Sequence, residues 1–296
     1  MRQRFETVVP NLLDEDPRLA MVLAEIGVDA FRGMAERHAG RVLNVGIREQ
    51  LMVGAAAGMA LAGYRPIMHT YAPFLIERPF EQLKLDFGHN DLGGILVSIG
   101  ASFDSSISGR THQAPEDVAV LASLPGWRIH VPGHADEAEA LLRQAARADD
   151  RTYLRLSVST NARKVDGSTD GRMVLVRRGS GATVIAVGPM LDPVLEAVED
   201  LDVNVLYAMT VRPFDGDTLR AVLRAPEVIL VEPYLAGTSA APVSQRLRAV
   251  PHRLLSLGVE AAENRHYGTP EEHAAANRLD PAGLRRSITA FLGAYA

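Results

Sequence analysis

Short apolar segments rich in β-branched residues alternate with longer helical patterns along all 296 residues. That alternation restricts the chain to parallel sheets covered by helices. Strands are expected near residues 20–23, 65–70, 94–99, 127–131 and 152–156, then near 183–187, 203–207, 228–231 and 253–257. At this length one core gives way to two. A polar run over 157–170, holding Asn161, Asp166, Gly167, Ser168 and Asp170, interrupts the pattern and reads as a linker. The expected organisation is therefore two consecutive parallel-sheet α/β domains, 1–160 and a smaller 181–296, joined by a linker over 161–180.

Composition narrows the function. With 31 basic and 36 acidic residues, the chain lacks the cationic footprint of a nucleic-acid or anionic-membrane binder, so small molecules and proteins are the expected partners. It has no cysteine, which excludes disulfides, thiolate nucleophiles and zinc ribbons. The first ten residues lack the apolar core of a signal peptide, and no apolar run approaches the roughly 18 residues of a membrane span. A cytoplasmic protein is expected.

Three segments depart from scaffold patterning: Asn44-Val45-Gly46-Ile47-Arg48-Glu49-Gln50; Thr70-Tyr71-Ala72-Pro73-Phe74 running on to Arg78, Glu81 and Gln82; and Gly109-Arg110-Thr111-His112-Gln113. Each follows an expected strand or opens a helix, where ligands of open parallel sheets collect. Residues 48–62 are apolar almost all round, with Gly54 and Gly58 permitting close approach, so this helix is expected to be buried. Taken singly the segments have ordinary explanations. Glu49 suits a helix N-terminus, Tyr71 and Phe74 suit packing, His112 suits a solvated loop, and Arg78 suits a surface pair with Glu77 or Glu81.

In combination and order they resemble the pyrimidine-binding domain of the transketolase and deoxyxylulose-phosphate synthase superfamily, and the resemblance extends over nearly the whole chain. Residues 44–63 are similar to the family block N-x-G-I-x-E-Q-x-x-x-G-x-A-A-G-x-A-x-x-G, residues 70–82 to T-Y/F-x-x-F-x-x-R-x-x-[DE]-Q, and residues 109–113 to G-x-T-H-Q. The resemblance implies thiamine diphosphate as cofactor, an electron sink that becomes active once its thiazolium ring loses a proton. It assigns Glu49 as the carboxyl that hydrogen-bonds the far nitrogen of the aminopyrimidine. Burial beside the apolar helix is expected to raise the Glu49 pKa and help it share that proton. It further assigns Tyr71 and Phe74 as an aromatic wall for that ring, Arg78 as the residue fixing wall or ring, and His112 as a donor to the substrate oxygen that gains charge.

The family's diphosphate grip, a G-D-G motif with a downstream asparagine holding Mg2+ or another divalent ion, has no counterpart here. Asp215-Gly216-Asp217 instead reads as a helix cap. The resemblance thus implies a split enzyme: a transketolase moving a two-carbon unit between sugars, active only with a second subunit that carries the diphosphate and metal domain, in a heterotetramer. The alternatives are the beta subunit of a 2-oxoacid dehydrogenase, disfavoured by the histidine loop, and a non-catalytic assembly subunit. For substrate, Arg2 and Arg155 match two family arginines that hold a sugar phosphate, so phosphorylated sugars are expected. The family's phosphate-binding histidine falls on Gly100, the synthases' arginine on Ala101 and the acid that reads a hydroxyl on Ser108, while Arg110 is a candidate replacement cation.

Overall fold

The computed structural model describes residues 1–167 and 169–293; Ser168 of the expected linker lies outside the described residues. Twelve strands form two sheets among these residues. The first contains β1 (Leu19–Leu23), β2 (Val42–Asn44), β3 (Arg65–Tyr71), β4 (Gly94–Ile99), β5 (Trp127–His130) and β6 (Arg151–Arg155). The second contains β7 (Val174–Arg177), β8 (Thr183–Val187), β9 (Asn204–Ala208), β11 (Glu227–Leu235) and β12 (Arg253–Val259). The remaining strand, β10 (Thr210–Arg212), belongs to the second half of the chain but completes the first sheet, whose order is β10-β5-β6-β4-β3-β1-β2. The second sheet runs β12-β11-β8-β9-β7.

Pairing is parallel except where β10 meets β5 and β7 meets β9. The strands that the sequence pattern does not announce, β2, β7 and β10, are three or four residues long and lie at sheet edges. An edge strand covered on one side has no need of the continuous apolar run that marks a buried one. In contrast β1, β4 and β8 are buried at every position.

The helix Glu49–Leu61 corrects the sequence expectation. Met52, Val53, Ala56 and Ala57 are buried against the first sheet, but Leu51 is 50% exposed and Leu61 71%, and Ile47 just before the helix is 72% exposed. The chain covers only one face of a helix that is apolar on both.

One buried ion pair fixes how the halves meet. Arg155, at the end of β6 and 1% exposed, donates from Nε to Asp117 Oδ2 at 2.7 Å and from its terminal nitrogen to Ser102 Oγ at 2.7 Å. Tyr153 adds its hydroxyl to the same Asp117 oxygen at 2.7 Å. Ser102 in turn donates to the Pro233 carbonyl of β11 at 2.5 Å, so the network crosses from one sheet to the other.

Removing one partner of such a pair strands a charge in the interior, which costs about 3–5 kcal/mol. Asp117→Leu is expected to lower the unfolding free energy measured by urea denaturation by an amount of that order. The double variant Asp117→Leu/Arg155→Met should recover most of the loss. Independent, additive effects of the two substitutions would contradict the coupling.

Candidate functional site

Because β2, β3, β4 and β6 are parallel, the loops that follow them open on the same edge of the sheet, where open α/β sheets hold ligands. Each of the three singled-out segments arrives there. Glu49 is the first residue of its helix, an acid in the first turn where the dipole favours it. It is only 2% exposed. The chain after β3 winds into a wide π-helical stretch, Pro73–Glu77, of a kind frequent at functional sites. This stretch carries Phe74 and delivers Arg78 to Glu49.

The contacts run in an unbroken line. Arg78 Nη1 donates to Glu49 Oε1 at 3.0 Å, and its guanidinium carbon lies 3.8 Å from the Phe74 ring centre, a cation–π contact. Phe74 and Tyr71 meet edge to face at 5.9 Å, and His112 packs on both, at 5.0 Å from Phe74 and 5.3 Å from Tyr71. Arg78 thus pairs with Glu49 and with neither Glu77 nor Glu81. Where the sequence suggests purely apolar surroundings for Glu49, the structure adds a cation. Among the described residues Arg78 takes Oε1 and no hydrogen-bond partner reaches Oε2. The two aromatic rings are steeply inclined to each other, at 69°, and line the site with one face and one edge in place of a flat wall.

The His112 loop is held from the second half of the chain. Gln113 donates through Nε2 to the His266 carbonyl and accepts from Asn264 Nδ2, each at 3.1 Å. Ser106 Oγ donates to the Gly268 carbonyl at 2.8 Å. Asn264 lies 151 residues from Gln113, and no local pattern marks it.

The remaining sequence candidates are dispersed. Arg2 lies on the first helix, exposed and paired with Glu6 at 2.7 Å. Arg110 points back to Glu116 at 2.8 Å and Glu263 at 3.7 Å, so it replaces no missing cation beside His112. Ser108 is exposed at the end of a short 3-10 turn. Arg155 is 1% exposed and donates to Asp117 and Ser102, as described above, and it also lines a cavity of about 150 Å³ together with Asp104 and Ser157. Gly100 has φ +71°, and a Cβ there would run into the Tyr71 ring, so no histidine fits beside that tyrosine without moving it. Asp104, like Asn264, escapes sequence reasoning. Asp104 accepts from the Ala101 and Val158 amides and from Ser157 Oγ at 3.0–3.1 Å, and burial pushes its carboxyl up to about 6. Asp215 caps its helix by accepting from the Thr218 amide at 3.1 Å.

Residues 1–162 match the family model for the transketolase pyrimidine-binding domain, and residues 171–281 the model for the transketolase C-terminal domain. The chain is 50% identical over 295 residues to an uncharacterized 33.6 kDa protein in the fasciation locus of Rhodococcoides fascians, covering 98% of this chain and 94% of that one. It is 27% identical over 243 residues to the 6-deoxy-6-sulfo-D-fructose transketolase subunit SqwH of a Clostridium strain, covering 78% and 75%. Among solved structures, a split-gene transketolase described as an inactive beta4 tetramer superposes with a TM-score of 0.82 at 24% identity, over 97% of this chain and 96% of that one.

Partial burial, and next the charge of Arg78, hold the His112 imidazole below its ordinary value. Both disfavour the cation, so His112 is neutral at pH 7. A ring titration followed by NMR in the full chain should have its midpoint below the ordinary ~6.5. Arg78→Met, which deletes a like charge, should raise that midpoint. A midpoint at or above the ordinary value in the wild type would contradict this electrostatic arrangement.

Proposed function

Since the chain belongs to the transketolase family, carrying its pyrimidine-binding and C-terminal domains in that order, we propose that it is the cofactor-activating subunit of a two-polypeptide, thiamine-diphosphate-dependent transketolase. The observation that carries this reading is Glu49: a carboxyl 2% exposed, one oxygen taken by Arg78 and the other open, in contact through Arg78 and Phe74 with Tyr71 and His112. Those residues fit an aminopyrimidine, which needs a carboxyl at a ring nitrogen and aromatic surfaces around it. When bound, thiamine diphosphate supplies an electron sink for making and breaking the carbon bond.

In this reading each residue has one task. Glu49 shares a proton with the ring nitrogen, and Arg78 keeps the carboxyl oriented and its charge compensated. Tyr71 and Phe74 exclude water from the ring. His112, neutral and therefore able to present one N–H, donates to the substrate oxygen where charge develops. The transferred group is a two-carbon ketol unit moving between sugars; the histidine loop beside Tyr71 supports this over a 2-oxoacid.

The diphosphate and its Mg2+ or other divalent ion are assigned to a partner chain. The exposed apolar residues Ile47, Leu51 and Leu61 around the Glu49 helix support a partner seated there, since such a patch marks an association surface. Two copies of each chain around a two-fold axis give a heterotetramer. The description of the split-gene relative as inactive when built of its beta chain alone supports this division of labour.

The test separates assembly from chemistry. The chain alone should show no turnover and the reconstituted complex should restore it. In the complex, Glu49→Gln should slow hydrogen–deuterium exchange at the thiazolium carbon by about 10²-fold or more while assembly survives. An unchanged exchange rate would overturn the role given to Glu49.

A further inference from the structure

The segment of the second half that grips the His112 loop is itself governed by one buried histidine. His273, on the helix Pro270–Ala276, is 3% exposed and lies face to face on Phe103, with ring centres 4.1 Å apart and planes inclined by 10°. Its Nε2 is 3.1 Å from the Tyr267 carbonyl. A carbonyl only accepts, so Nε2 carries the proton of the neutral ring and Nδ1 is left as an acceptor. Facing Nδ1, at 3.3 Å, is Asn264 Nδ2, whose other hydrogen goes to Gln113 Oε1 at 3.1 Å. Asn264 Oδ1 accepts from the His266 amide and Gln113 Nε2 donates to the His266 carbonyl, each at 3.1 Å. In this relay every donor meets an acceptor only while His273 is neutral.

A second proton on the ring sets N–H against N–H at Asn264. Turning the Asn264 amide over presents its oxygen to His273 but sets its nitrogen against the His266 N–H. Gln113 must then turn as well, which sets its own oxygen against the His266 carbonyl. No arrangement of the two amides satisfies the charged ring, and such a conflict in a buried network weakens the bonds around it. The charged and titratable groups around the ring are Glu272 on the same helix, His266 at 5.4 Å, Asp104 and Arg155 across a shared cavity of about 150 Å³, and Arg110, Glu116, Glu260 and Glu263 along a neighbouring cleft. Among the described residues none of them hydrogen-bonds a ring nitrogen, so the relay alone reads the proton on Nδ1. Building on the transketolase reading above, we propose that Asn264 and His273 are positioning residues for His112, acting through Gln113, and that protonation of His273 releases this hold and withdraws His112 from the substrate oxygen in acid.

The first measurement needs no turnover. In the isolated full chain, the ring titration of His273 and hydrogen exchange of the amides of residues 109–113 are followed together by NMR, with exchange referred to an unstructured chain at each pH. The His112 and Gln113 amides are bonded to the Gly109 and Arg110 carbonyls at 3.0 and 3.2 Å, so a held loop protects them. Protection should fall by about tenfold or more as His273 takes up its proton. His273→Gln, which keeps a hydrogen-bonding side chain but carries no charge, should abolish that step. Asn264→Ala should lower protection at every pH. In the reconstituted complex Asn264→Ala should lower kcat by about tenfold with KM little changed, since the bond from His112 counts most in the transition state, and His273→Gln should keep its activity to lower pH than wild type. The His273→Gln results decide the matter even where Asn264→Ala does not fold. If loop protection follows His273 as expected but the complex turns over no sugar, the hold on the loop stands and the transketolase reading fails. Wild-type protection that ignores the His273 titration, a ring that takes up no proton before the chain unfolds, or a step that survives in His273→Gln would overturn the proposal.

Discussion

The buried pair of Arg155 and Asp117 is the constraint around which both halves are arranged. A guanidinium 1% exposed must have its charge matched, and Arg155 of β6 finds that match in the helix Asp117–Ala122 and a further acceptor in the loop after β4. Ser102, held by Arg155, passes the connection to β11 and also bridges to Ala114. The loop between Ser102 and Ala114 is therefore closed at its base. His112 stands on a short segment tied at both ends, with Gln113 fixed from the C-terminal half as well. Placement of the histidine thus depends on residues far from it in sequence and remote from the chemistry.

A second charge pair has the opposite character. Glu49 is buried, whereas the Arg78 side chain that compensates it is 40% exposed and stacked on Phe74. The pair is dry on one side and wet on the other. Water screens such a pair, so covering the exposed side strengthens every interaction inside it.

Much of this was legible in the sequence because the informative segments are local. Each of the stretches 44–50, 70–78 and 109–113 keeps its own residues together, and parallel strands bring the ends of all three to one edge of a sheet. Buried strands announced themselves by apolar runs, while β2, β7 and β10, only three or four residues long and at sheet edges, did not. The crossing of β10 into the first sheet was invisible, since nothing in Thr210-Val211-Arg212 names its partner. The grip of Asn264 on Gln113, the burial of Asp104 beside Ser157 and Val158, and the Tyr71 ring against Gly100 are likewise long-range facts of packing.

Arg155 shows where matching residue types across a family ceases to inform. Its position and chemistry suited a phosphate, but an arginine binds an anion only with donors that are free and a charge that is not already balanced. Here Asp117 balances the charge through Nε and Ser102 takes a terminal nitrogen, so this side chain holds the scaffold. A carboxylate alone separates these roles, and Asp117 lies 38 residues earlier in the chain.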